Sequence, residues 1–138
     1  MTEAVNIQLK GNMSFEAEVD GHKIMIDTAE EFGGNNVGPK PKSLMLVALA
    51  GCTGMDIASM LRKMKVEFDD LQVEVKGELT ETHPKHFESM QIIYRLKGEN
   101  ISLEKVERAV ELSQDKYCGV SYNYKSSISI SHEIIIEE

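Results

Sequence analysis

Positive charge is what this sequence has least of. Its 15 Lys and Arg residues stand against 23 Asp and Glu, leaving a net charge of -8 and a pI near 5.0, and its only arginines are Arg62, Arg95 and Arg108. Nucleic acid and anionic membrane surfaces attract basic patches, so neither is expected as a partner. Cysteine is equally scarce. Cys52 and Cys118, far apart in sequence, are too few for a disulfide scaffold, which leaves free thiols, metal ligands or redox catalysts in a reducing compartment. No apolar run is long: the stretch Ser43 to Gly51 before Cys52 falls short of the roughly 20 residues a bilayer span needs. The start, Met-Thr-Glu-Ala-Val-Asn, has no basic segment followed by an apolar one, so no secretory signal is visible. The expectation is one soluble, cytoplasmic domain over residues 1–138, with a 41% hydrophobic content sufficient for one core.

Three short strands are predicted first. Val5 to Leu9 and Met13 to Val19 alternate apolar and polar residues, His22 to Asp27 follows, and Gly11-Asn12 and Asp20-Gly21 make the turns. Asp-Gly accepts positive φ at both central positions, so the strands should be antiparallel. Thr28 to Lys40 is rich in Gly and Asn and reads as a long loop, a kind of segment that is often functional. Pro41 opens a helix expected to run to about Lys65. The first half of that helix is apolar on nearly every face and calls for burial all round. A chain this small has trouble supplying that cover, so a second subunit is expected to provide part of it. Gly51 and Gly54 in mid-helix each cost roughly 1 kcal/mol against Ala, which a close approach by another element would offset.

Leu71 to Leu79 alternates as a half-buried strand. Another follows with Met90, Ile92, Tyr94 and Leu96 on its inner face, and then Ser102 caps an amphipathic helix expected to stop near Lys116. Ser127 to Glu138 closes the chain as a strand. The order is α+β.

Chemistry concentrates on the two thiols. Cys52 shares a helical stripe with Ala48, Met55 and Ser59, small neighbours that leave space beside the sulfur. A thiolate in such a pocket attacks the O–O bond of a peroxide, and a second thiol condenses with the resulting sulfenic acid. Two buried, inert cysteines are the alternative, since free Cys is among the most buried residue types. Asp56, one turn after Cys52, would raise a thiol pKa if it faced the sulfur. His22, His83, His86 and His132 join the cysteines as conceivable metal ligands, but only His83 and His86 are closely spaced, and no metal or bound cofactor is expected. Gly-x-Ser-x-Gly and the Gly-Lys-Ser/Thr ending of a phosphate loop are both absent.

Pro41-x-x-Leu44, Ala48-Leu-Ala-Gly-Cys52 and Tyr117-Cys-Gly-Val-Ser121, in this order of elements, resemble the OsmC-like superfamily, which includes organic hydroperoxide resistance proteins. Ala-Gly-Cys52-Thr-Gly-Met-Asp56 with Leu61-Arg-Lys-Met64 is similar to its YhfA-like branch. The resemblance implies antiparallel sheets wrapped around a long buried central helix, in an intertwined homodimer with active sites at the interface. It also implies a thiol-dependent peroxidase acting on a small organic hydroperoxide, with Cys52 as the peroxidatic thiol, Cys118 as the resolving thiol and an external dithiol of the lipoyl type as reductant. Where well-studied members have a glutamate ten residues before the first cysteine, this chain has Lys42, and no N-terminal arginine is present to hold the thiolate. A dimeric protein that binds an apolar ligand, or senses redox state through Cys52, is the rival reading.

Overall fold

The computed structural model describes all residues, Met1–Glu138, and divides into two compact units, Met1–Met45 and Leu46–Glu138. In the first unit β1 (Asn6–Leu9), β2 (Phe15–Val19) and β3 (His22–Ile26) form an antiparallel meander. The turn joining β2 to β3 has Asp20 at φ 52 and Gly21 at φ 80, the double positive φ of a tight hairpin, and Val19 pairs with His22 across it. Ile7, Ala17 and Ile24 are in register on one sheet face, and Ile7 and Ile24 remain exposed.

The loop after β3 is held by Asp27. Its buried carboxylate accepts N–H bonds from Thr28 (2.7 Å), Asn35 (3.1 Å) and Val37 (3.2 Å). Burial alone would raise this carboxyl's pKa, but the three donors outweigh it and hold the pKa below the ordinary value. Gly34 is needed here because a Cβ would stand 2.1 Å from the Thr28 carbonyl oxygen. A single turn, Glu30–Phe32, is the loop's only regular element.

The second unit is built on a three-stranded sheet in the order β4 (Asp70–Leu79), β5 (Phe87–Lys97) and β6 (Ser129–Glu137). β4 and β5 are antiparallel, as adjacent strands joined by a short loop tend to be. β5 and β6 are parallel, which departs from the expected all-antiparallel sheets. The cause is the intervening chain: α2 (Leu103–Leu112), a π-helical turn over Ser113–Tyr117 and α3 (Gly119–Tyr124) form a crossover that returns β6 in the direction of β5. Ser102 caps α2, accepting the Lys105 N–H at 3.3 Å, and Val106, Ala109 and Val110 are buried. The α-helical part of the amphipathic helix ends at Leu112 and the π-helical turn carries it on to Tyr117, close to the expected end near Lys116, and α3 is a helix that periodicity alone misses.

The long helix α1 spans Pro41–Lys63. Within the second unit it covers the sheet face that carries Val73, Met90, Ile92, Tyr94 and Leu96. Thr53 on the helix is bonded to Tyr94 on β5, and a Cβ on Gly54 would meet Val73 at 3.4 Å. Gly54 thus has its close neighbour, whereas nothing stands within 4 Å of a Cβ on Gly51. Its own chain buries only the stripe Leu49, Thr53, Ile57 and Leu61. Val47 is 62% exposed and Met55 76% exposed, so much of its apolar surface is uncovered in a single chain. Because it continues past Cys52, α1 is long and apolar enough to cross a membrane by length and composition, a test that core helices of soluble proteins also pass.

Candidate functional site

The two cysteines meet in the second unit. Cys52 projects from α1 at the margin between its buried stripe and its exposed face, and is half-buried. Cys118 ends the π-helical turn and is the N-cap of α3, where its sulfur accepts the Ser121 N–H at 3.4 Å. Cys118 is 3% exposed, both thiols are free, and the side chain of Cys118 lies near enough to that of Cys52 for the two to interact.

Burial pushes the Cys118 thiol up to about 11. The Ser121 N–H pulls the other way, and the hydrogen bond and charge of Cys52 and the charge of Asp56 add to the rise. Asp56, considered from the sequence as a neighbour of the Cys52 sulfur, acts here on Cys118, where it is the smallest of these causes. At neutral pH Cys118 is an S–H group, able to donate to the Cys52 sulfur.

Behind the thiols lies a polar cluster that sequence reasoning did not identify. Thr53 Oγ1 lies 2.7 Å from the Tyr94 hydroxyl and 2.8 Å from Ser113 Oγ, and Ser113 donates to Asp56 Oδ2 at 2.9 Å. Gln114 Nε2 donates to Thr53 Oγ1 (3.2 Å) and the Tyr94 hydroxyl (3.4 Å), while Gln114 Oε1 accepts from Ser121 Oγ at 2.8 Å. Thr53, Tyr94, Ser113 and Ser121 are fully buried, and no buried side-chain nitrogen or oxygen lacks a partner. Tyr94 is held as a phenol, its pKa raised to about 12 chiefly by burial. The sequence did contain a signal: Ser113 follows Val106 and Val110 on the core stripe of α2, where a polar residue needs a buried partner.

No arginine serves the thiols. Arg95 pairs with Glu74 at 2.8 Å, Arg62 lies 5.8 Å from the centre of the Phe68 ring, and Arg108 reaches Glu111 at 3.9 Å. His86 lies in the exposed loop, bonded to Pro84 and Thr80, and His132 touches the cluster only by packing edge-on to the Tyr94 ring at 6.4 Å. No group of three His, Cys, Asp or Glu side chains is arranged to hold a metal ion. A cleft of about 360 Å³ runs along α1 from Asp56 to Lys63, walled by Met60, Met64, Leu112 and Tyr117, and neither thiol lines it.

A family profile described as OsmC-like protein matches residues 33–133. The chain belongs to the OsmC-like family. It is similar to Protein YhfA of Escherichia coli K12, 30% identical over 112 residues that cover 81% of each chain. Among solved structures, a hypothetical protein from Aquifex aeolicus VF5 superposes with a TM-score of 0.84 at 31% identity, covering 100% of this chain and 99% of that one. An organic hydroperoxide resistance protein OsmC from Legionella pneumophila has the same fold, with a TM-score of 0.69 at 18% identity over 98% and 97% of the two chains. The OsmC-like fold is therefore present throughout: α+β, with two three-stranded sheets and one long helix.

Proposed function

We propose that this OsmC-like protein is a thiol peroxidase that reduces organic hydroperoxides in oxidative stress defence, with Cys52 as the nucleophile and Cys118 as the resolving thiol. The observation that carries the reading is that the two cysteine side chains are neighbours, close enough for Cys52 to disfavour ionisation of the buried Cys118, which is held protonated. With Cys118 keeping its proton, Cys52 is the thiol left to carry negative charge, which supports Cys52 as the attacking sulfur. The thiolate of Cys52 attacks the peroxide's terminal oxygen, the O–O bond breaks, and the alkoxide leaves as an alcohol after taking a proton. Cys118 then attacks the Cys52 sulfenic acid. An S–S bond forms, and the displaced hydroxide takes up the Cys118 proton and leaves as water. An external dithiol of the lipoyl type reduces the disulfide by exchange, and no bound cofactor takes part. The family neighbours whose names refer to organic hydroperoxide resistance support the substrate class.

The active form on this reading is a cytoplasmic homodimer. The exposed apolar face of α1, with Val47 and Met55, borders Cys52 and is the surface a second copy would cover. A lipid-facing role for α1 fits less well, because Asp56 lies on the same helix and is tied into the buried cluster.

One observation favours a second reading. All three arginines of the chain are engaged elsewhere, so none of its own arginines activates the thiols. On that reading the protein binds an apolar ligand in its cleft, or senses redox state through Cys52, without turnover. Steady-state reduction of cumene hydroperoxide with dihydrolipoamide separates the two. The peroxidase reading predicts turnover that Cys52→Ser abolishes and Cys118→Ser severely reduces; peroxide loss no faster than the reductant alone produces would overturn it.

A further inference from the structure

We infer that Gln114 is the positioning residue that sets the approach of Cys118 to Cys52, acting through the buried hydroxyls of Thr53, Tyr94 and Ser121. The inference rests on the redox role proposed for the pair and adds to it the device that holds the pair in register. Thr53 directly follows Cys52 on α1, and Ser121 supplies the N–H that holds the Cys118 sulfur. One amide group joins these two supports. Its nitrogen donates to Thr53 and Tyr94, and its oxygen accepts from Ser121.

The backbone carrying Gln114 is unusual in the same place. Ser113–Tyr117 is the chain's one π-helical turn, a widened turn found most often at functional sites, and it ends directly at Cys118. The Cys118 N–H closes that turn on the Ser113 carbonyl at 2.7 Å, and Lys125 Nζ donates to the Gln114 carbonyl. An α-helix running straight on from α2 would need none of these contacts, whereas the widened turn shifts Cys118 and places the Gln114 amide in the buried cluster. Removing the Gln114 amide takes from the buried Ser121 hydroxyl its acceptor and from Thr53 and Tyr94 one bond each, which unties the link between the two cysteine supports. Resolution of a sulfenic acid depends on the approach of the second thiol, so a displaced π-helical turn would weaken that step while leaving Cys52 in place on α1.

Thiol exchange tests this without peroxide. In a glutathione redox buffer the Cys52 thiolate attacks glutathione disulfide and releases one glutathione thiolate. Cys118 then attacks the Cys52 sulfur of the mixed disulfide, forming the internal S–S bond and releasing the second. The equilibrium constant is the effective concentration of Cys118 at Cys52. Gln114→Leu is expected to lower it by roughly tenfold or more and to accumulate the Cys52 mixed disulfide. Ser121→Ala and Tyr94→Phe, which each remove one partner of the amide, should lower it by smaller factors, and these milder variants decide the matter if Gln114→Leu does not fold. Values within twofold of the native protein in folded variants would overturn the inference. So would a native protein that forms no internal disulfide at any glutathione ratio. A native protein that forms the disulfide but is inert to hydroperoxide would count against the peroxidase reading alone.

Discussion

At pH 10 a buried Cys118 and an ordinary thiol differ most in ionisation. An ordinary thiol with a pKa near 8.5 to 9 is at least about nine-tenths thiolate at that pH, whereas a thiol at about 11 is only about one-tenth ionised. The perturbation is therefore simply a pH series on reduced protein carrying ¹³C at the cysteine Cβ, with Cys52→Ser and Cys118→Ser used to assign the signals. In the native protein the Cys118 signal should remain that of a thiol well past pH 9. Cys52→Ser should move its midpoint downward, because the partner's hydrogen bond and charge both favour the protonated form, and Asp56→Asn should move it further the same way. Neither variant should restore an ordinary value, since burial is the largest cause. The same shift makes stability pH-dependent: between about 9 and about 11 the unfolded chain loses this proton first, so stability falls as pH rises through that window. A Cys118 midpoint at or below 8.5 would refute the reasoning, because the assignment of Cys52 as nucleophile rests on Cys118 keeping its proton.

Three further outcomes are expected. If the native protein sediments as the proposed dimer, Met55→Asp on the exposed face of α1 should convert it to monomer; an unchanged dimer would place the interface elsewhere. Asp27→Ala should lower the melting temperature by leaving the Thr28, Asn35 and Val37 N–H groups without their acceptor. In the native protein the Asp27 contribution is present above the ordinary carboxyl pKa near 3.9 and is lost as pH falls through the depressed value, which acid titration of stability follows. Gly54→Ala should be tolerated and gain up to roughly 1 kcal/mol in helix stability by denaturant titration, since its Cβ would make an ordinary contact with Val73.

Local chemistry was the most legible part of this sequence. The Asp20-Gly21 pair, the Ser102 cap and the Pro41 helix start each rest on a single-residue preference, and each is where that preference predicts. The thiol pair was legible by resemblance, and the structure brings Cys52 and Cys118 together. What was hidden depends on tertiary context. The parallel register of β6 follows from where the crossover returns the chain, and a closing strand reads alike in either direction. The π-helical turn has no periodic signature over so few residues. Thr53, Ser113, Gln114 and Ser121 are residue types ordinarily found in solvent, and only their bonds to one another, with Thr53 and Gln114 also bonded to Tyr94, make them a buried cluster.

The central claim is that Cys52 and Cys118 form a working redox pair, and a single-turnover experiment reads it most directly. Reduced protein is mixed with one equivalent of cumene hydroperoxide, and intact mass and free thiols are followed. The account predicts loss of both thiols, an internal disulfide with no added oxygen, and in Cys118→Ser an oxygen adduct confined to Cys52. Both thiols surviving a large excess of peroxide, or an oxygen adduct on Cys118 while Cys52 stays reduced, would contradict it.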